Sequence, residues 1–399
     1  MKIQFASVTL VTLLAFSLTS AAFAQQPTPS PEQAPQVLSM LDKNGDKKLS
    51  PDEAQGGLKD NFALVDSNGD GEIDLDELRG VLKMAAQRVS GGGQRAKVST
   101  THDVRPRVHR TPESRFANIE DFPFDTHYID IDGLRMAYVD EGTGKAGTFL
   151  LLHGEPVWSY MYRGAIPGLA AAGYRVIAPD NIGFGRSDKV IDIDWYTLDN
   201  HVQSLKRLVT KLDLRNITIV VNDWGGPNGL VMATEMPNRF DRLIILNTWL
   251  HFAGYRYTQA LRDWNQLSQS IDFTGFPAFP SAVRAPFDSP DAVAGALRWP
   301  WMLPFAEPEA GNAVRQEAAW NNLASWDKPA HVIFGDSDRV FTEDWGRQFA
   351  AHIPGATFTC VEGEGHRPLL FTGPAAGQFT GEHHGDEFAE LVLRLISTE

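Results

Sequence analysis

The chain has 399 residues, enough for two or three domains, and its 43% hydrophobic and 22% charged residues are those of a soluble globular protein. A net charge of −14 argues against nucleic acid or an anionic membrane surface as partner. Cys360 is the only cysteine, which excludes an internal disulfide and a cysteine-based metal site.

Met1 to Ala24 reads as a secretory leader: Lys2 is the positive end, Val8 to Leu18 is an apolar run too short to span a bilayer, and Ala22-Phe23-Ala24 is an A-x-A cleavage site. No cysteine follows that site, so a lipid anchor is not expected. The expectation is an exported protein, periplasmic or secreted, with no membrane anchor. Residues 25–35 form a Pro/Gln-rich flexible spacer.

Residues 36–90 form a small acidic, all-α module. "DKNGDKKLSPDE" (42–53) and "DSNGDGEIDLDE" (66–77) each place oxygen donors at positions 1, 3, 5 and 12 of a twelve-residue loop. The donors are Asp42, Asn44, Asp46 and Glu53, then Asp66, Asn68, Asp70 and Glu77. Position 7 offers a backbone carbonyl, from Lys48 and Glu72. A hard cation takes six to eight such oxygens, and this spacing wraps them around one point. Leu49 and Ile73, at position 8, can pair the two loops. The module resembles the EF-hand family, which implies structural calcium. Gly71 serves the sharp turn at position 6, whereas Lys47 replaces glycine in the first loop and should weaken that site.

Residues 91–111 are a linker that opens in the glycine-rich "SGGGQ" of 90–94 and continues as a basic, irregular stretch. Beyond it, 112–399, short apolar strands alternate with helix-length amphipathic segments. Strands are expected at 127–131, 134–140, 148–153, 174–178, 217–222, 243–247, 331–335 and 357–361. Two hairpin-like strands followed by β-α alternation predict a mostly parallel eight-stranded sheet with helices on both faces; the elbow motif of 220–229 and the order of its partners make the α/β-hydrolase fold the expected one. Residues from about 248 to 328 carry no clear strand and hold Trp249, Trp264, Trp299, Trp301, Trp320 and Trp326. They are expected to form an inserted helical cap.

"VVNDWGGPNG" (220–229) has the form of a strand, a sharp turn and a helix start. Such an elbow exposes its tip residue at the top of a sheet. Here the tip is Asp223, followed by Trp224, and Asn222 departs from the small residue usual on the strand side. An acid and a histidine follow in α/β-hydrolase order. "VIFGDSDRVF" (332–341) offers Asp338, with Asp336 second, and "VEGEGHRPLL" (361–370) offers His366. "LLLHGEPVWSY" (150–160) lies where an oxyanion loop belongs, so the backbone N–H groups of Glu155 and Trp224 are the expected donors. Each piece alone has a plainer reading; an Asp after a strand can simply cap a helix. Their joint order is what points to catalysis.

Five segments carry a family resemblance: "RTPESRFANIEDFPF" (110–124), "LLHGEPVWSYMYR" (151–163), "RVIAPDNIGFGRSDK" (175–189), "LDLRNITIVVNDWGG" (212–226) and "NRFDRLIILN" (238–247). From about 110 to 399 the chain resembles the haloalkane dehalogenases. The resemblance implies hydrolysis of carbon–halogen bonds in small apolar substrates, with water, without a catalytic cofactor, giving alcohol and halide. Asp223 would be the nucleophile that forms an alkyl ester, His366 the base and Asp338 its partner. A carboxylate suits displacement at saturated carbon, and an indole N–H can receive the departing halide. Trp224 is the first such donor. "HGEP" implies a second tryptophan, for which Trp264 is first choice and Trp299 second.

Two rivals share these features. An epoxide hydrolase would use cap tyrosines, and Tyr255 and Tyr257 lie in the cap. A calcium-binding interaction protein could carry an inactive hydrolase domain. Two stretches depart from the family pattern, Arg367-Pro368-Leu369-Leu370 after the histidine and the glycine-rich 373–385, where His383 and His384 read as surface residues. The choice of halocarbon and the oligomeric state are not legible.

Overall fold

Apolar, β-branched runs buried on both faces build the centre of the large unit. The computed structural model describes residues 34–54, 57–60, 62–66, 70–79, 106–275, 279–367 and 385–397. The chain divides into two compact units, Met1–Val104 and Arg105–Glu399. The expected leader and spacer up to residue 33, Asn68, the 90–94 glycine segment, and His383 and His384 lie outside the described residues.

The strands described in the large unit are β1 (Val108–His109), β2 (His127–Ile131), β3 (Leu134–Gly142), β4 (Thr148–Leu152), β5 (Arg175–Pro179), β6 (Lys189–Val190), β7 (Ile217–Val221), β8 (Phe240–Leu246), β9 (Ala330–Gly335) and β10 (Thr357–Val361). β1 and β6 form a small separate pair, and the other eight form one sheet in the order β10-β9-β8-β7-β4-β5-β3-β2. β3 runs antiparallel to β2 and β5, and the remaining pairs are parallel. Every residue of β4, β7 and β9 is buried. A parallel sheet buried this way must be covered by helices on both faces, as its near-continuous apolar strands anticipate.

Parallel register decides where the site lies. Leu152 pairs with Val221, Val221 with Ile245, Leu246 with Ile333, and Gly335 with Val361. The loops after β4, β7, β8, β9 and β10 therefore leave from one edge, the carboxyl edge where open α/β sheets bind ligands. Local capping sets the flanking helices. Thr197 caps Leu198–Lys211 by accepting from the Asn200 N–H, and Thr342 caps Glu343–His352 by accepting from Trp345.

Between β8 and β9 there is no strand among the described residues. The segment holds helices Gln259–Leu267, Ser281–Arg284, Ala294–Trp301 and Ala313–Leu323. Within this segment Ala313–Leu323 lies against the main helical layer: Arg315 pairs with Glu235 of helix Gly225–Glu235 at 2.7 Å and with Asp199 at 2.6 Å.

In the small unit, helix Ala34–Leu41 buries Ala34, Val37, Leu38 and Leu41, a single helical stripe, and these pack with Leu49, Leu58, Val65, Ile73 and Leu78. Leu49 and Ile73 bond each other's backbone at 2.9 and 2.8 Å, the loop-to-loop pairing anticipated from the sequence. No helix among the described residues is long and apolar enough to cross a membrane.

Candidate active site

The elbow residue Asp223 has φ 52°, in the left-handed region that L-residues seldom occupy. Its surroundings hold it there. The Asp223 N–H donates to Asn247 O at 3.0 Å, and the Asp223 carbonyl accepts from Thr248 Oγ1 at 2.6 Å and from the Gly226 N–H at 2.8 Å. Gly154 and Gly226 are required by close approach. A Cβ at Gly154 would overlap the Asp223 carboxyl, and one at Gly226 would overlap the Thr248 hydroxyl.

The buried carboxyl of Asp223 meets the groups expected near it. The Glu155 N–H donates to Oδ1 at 2.7 Å, and the Trp224 N–H also bonds the carboxyl. His366 Nε2 lies 3.4 Å from Oδ2, and its Nδ1 lies 2.8 Å from Asp338 Oδ2. Asp338, not Asp336, faces the histidine. Asp338 is buried and also accepts from Asn247 Nδ2 at 2.8 Å and from the Val340 N–H at 2.7 Å. Asp336 is exposed and accepts from the Gly363 N–H at 2.9 Å.

Electrostatics follow from this packing. Burial alone would raise the Asp223 carboxyl; the His366 hydrogen bond and charge, the Arg367 charge and the Trp224 N–H outweigh it and hold the group below the usual carboxylate range. Burial alone would lower His366; the charge of Asp338 and the hydrogen bonds to Asp223 and Asp338 overcome it and push the imidazole up to about 9. Glu155 is pushed well above the usual carboxylate range by burial, reinforced by the Asp223 charge and opposed by the Arg367 charge and the Trp264 hydrogen bond.

The indole of Trp224 is buried and lies edge-to-face with Trp249 at 4.9 Å and stacked on Trp299 at 5.8 Å. Trp264 reaches the same loop from the cap, and its side chain hydrogen-bonds the Glu155 carboxyl. Trp299 uses its N–H differently, donating to His201 Nε2 at 2.7 Å. Of the cap tyrosines, Tyr257 places its hydroxyl 2.9 Å from His251 Nδ1, and the Tyr255 ring packs on Tyr257 and Trp345.

Three residues of the site were not singled out for these roles in the sequence. Asn247, at the end of β8, holds Asp338 and accepts from the Gly335 N–H at 2.9 Å. Asn222 donates to Asn247 O at 3.0 Å and to His366 O at 2.9 Å. Buried Arg367 donates from Nη2 to Glu155 O at 2.7 Å. The available signal was a polar residue at a strand end or beside an expected site residue.

In the small unit the loop carboxylates bend over their own backbone. Asp42 accepts from the Gly45 and Lys47 N–H groups at 2.6 and 2.9 Å, Asp46 from Lys48 at 2.9 Å, and Glu53 from Lys43 at 2.8 Å. Asn44 Oδ1 accepts from the Asp46 N–H at 2.8 Å. In the second loop Asp66 accepts from Gly71, Asp70 from Glu72 and Glu77 from Asp74, each at 2.9 Å. Both position-6 residues adopt left-handed φ, 68° at Lys47 and 87° at Gly71. Lys48 Nζ bridges the loops, 3.2 Å from Asp70 and 2.7 Å from Glu72. The donors are the hard oxygens calcium takes. However, among the described residues no group of three or more His, Cys, Asp or Glu is arranged to hold a metal ion.

Comparison with known proteins bears on both units. A family model for the alpha/beta hydrolase fold matches residues 147–373, and an EF-hand model matches 58–82, which spans the second loop. The chain is 38% identical over 308 residues to a haloalkane dehalogenase of Psychrobacter cryohalolentis, covering 73% of this chain and 98% of the relative. It is 38% identical over 306 residues to a haloalkane dehalogenase of Mycobacterium marinum, covering 72% and 98%. Its fold matches the tetrameric structure of a haloalkane dehalogenase from Paraglaciecola agarilytica with a TM-score of 0.62 and 32% identity, covering 72% of this chain and 97% of that one.

Proposed function

Since the chain belongs to the haloalkane dehalogenase family of α/β-hydrolases, hydrolases acting on carbon–halide bonds, we propose that it converts small apolar haloalkanes to alcohol and halide through an ester on Asp223. The observation that carries this reading is His366 standing between two carboxylates, 3.4 Å from Asp223 and 2.8 Å from Asp338.

Oδ1 of Asp223 is engaged by the Glu155 N–H, so Oδ2 is the attacking oxygen. An Oδ2–carbon bond forms as the carbon–halogen bond breaks, and the halide leaves with the bonding pair. Trp224 and Trp264 supply indole N–H donors to it in a site that excludes water. The ester carries no charge, so the share of the His366 proton affinity that came from the Asp223 carboxylate is lost, and the neutral imidazole takes a proton from water, which attacks the ester carbonyl. Asp338 steadies the imidazolium, and the oxyanion develops on Oδ1 against the Glu155 and Trp224 N–H groups. Collapse breaks the Cγ–Oδ2 bond, and the alkoxide leaves as alcohol with the proton held by His366.

Purified full-length protein should release halide from brominated and chlorinated alkanes faster than it opens epoxides. Epoxide turnover without halide release would overturn the substrate assignment and favour a role for Tyr255 or Tyr257.

For the small unit we propose that calcium serves as a structural ion, held by Asp42, Asn44, Asp46, Lys48 O and Glu53 and by Asp66, Asn68, Asp70, Glu72 O and Glu77. The twice-repeated spacing and the EF-hand match support it. The second loop should be the tighter, because left-handed φ costs glycine nothing and strains Lys47. Calorimetry on the full chain should show Glu77→Gln weakening the tighter site by about ten-fold or more. An unchanged titration would remove Glu77 from the ligand set. Chelation should lower thermal stability while leaving the turnover rate unchanged.

A further inference from the structure

Arg367 follows the histidine at the point where this chain departs from the dehalogenase pattern, and it is a cation only 6% exposed. A buried charge is costly unless partners compensate it. Its Nη2 donates to Glu155 O at 2.7 Å, while the N–H of the same Glu155 donates to Asp223 Oδ1 at 2.7 Å. The loop carrying His366 is thereby tied to the loop carrying an oxyanion donor. On the other flank, Asn222 grips His366 O at 2.9 Å.

The charges around the guanidinium narrow what it does. Asp223, Glu155, Asp338 and Tyr162 face it, and the imidazoles of His366 and His153 feel its charge. Among the groups whose negative charge compensates Arg367, Asp223 stands first, followed by Glu155 and Asp338.

We propose that Arg367 is a positioning residue for ester hydrolysis: it fixes the Glu155 peptide against Asp223, and its charge favours the oxyanion that forms there. This rests on the ester mechanism. The alkylation step depends on it less, because the charge on Asp223 disperses as the ester forms. A second consequence concerns pH. Burial and the Arg367 charge lower His366 and Asp338 raises it, while in the ester Asp223 carries no charge, so removing the guanidinium should move the histidine inflection to higher pH.

Single-turnover kinetics of wild type, Arg367→Lys and Arg367→Met, with halide release and ester hydrolysis followed separately, test this. In Arg367→Met, ester hydrolysis should slow by about ten- to a hundred-fold with its inflection at higher pH, while halide release changes less. In Arg367→Lys the inflection should stay near that of wild type, because the charge remains. Hydrolysis should still be slow, because an ammonium lacks the guanidinium fork. If Arg367→Met does not fold, Arg367→Lys decides alone: wild-type ester hydrolysis in it overturns the proposal. A wild-type rate and inflection in both variants overturns it as well. Failure of the ester mechanism would look different, with no alkyl adduct on Asp223 in a His366→Gln background.

Discussion

The His366→Gln protein should release one equivalent of halide per active site in a burst and then stall. Attack on the substrate needs the Asp223 carboxylate, which the Glu155 N–H continues to orient at 2.7 Å. The second step needs a base, and the imidazole at 3.4 Å from Asp223, braced by Asp338 at 2.8 Å, is the group placed to serve. Glutamine keeps similar bulk and cannot take a proton from water. Loss of a positioned general base costs about 10²- to 10⁴-fold in the step it serves. The ester should therefore accumulate, visible by mass as an alkyl group on the peptide containing Asp223. Steady turnover in His366→Gln, or substrate binding with neither burst nor adduct, would contradict this assignment.

Trp224→Phe is expected to lose about ten- to a hundred-fold in the halide-releasing step. Phenylalanine preserves an aromatic ring against Trp249 and Trp299 and removes the N–H. The lost bond to a departing anion is charge-assisted, worth about 1.5–3 kcal/mol, which converts to that factor. Bromide should quench tryptophan fluorescence in the wild type and do so more weakly in the variant. Dehalogenation at the wild-type rate in Trp224→Phe would take this indole out of the halide site. Trp264→Phe is the companion test. The Trp264 side chain bonds Glu155, the residue whose N–H touches the nucleophile. A normal rate there would place the second donor elsewhere in the cap.

The parts of the site that were legible in the sequence are those with a local cause. Strands β4, β7 and β9 are continuous apolar runs because both faces of a parallel sheet are buried. Asp223 is legible because the flanking Gly225 and Gly226 and the apolar run before it describe a strand–turn–helix by themselves. What stayed hidden depends on neighbours across the sheet. Asp336 and Asp338 differ by two residues in one loop, and it is Asn247, just past the end of the neighbouring strand β8, together with the Val340 N–H, that holds Asp338 inward. Trp264 and Trp299 were inseparable in a cap without strand periodicity; what tells them apart is their partners, the Glu155 carboxyl for Trp264 and His201, 98 positions earlier in the chain, for Trp299. Arg367 looked like a mere departure, because nothing local tells a buried arginine from a surface one.

The route of oxygen tests the account most directly. If Asp223 forms an ester, water attacks the protein and not the substrate carbon. In a single turnover in ¹⁸O-water, the label should enter the Asp223 carboxyl, and the alcohol should carry the unlabelled oxygen that was Oδ2. If Asp223 instead activates water as a general base, the label goes straight into the alcohol and the protein stays light. Labelled Asp223 with unlabelled alcohol is the result the account predicts; a light protein with labelled alcohol would contradict it.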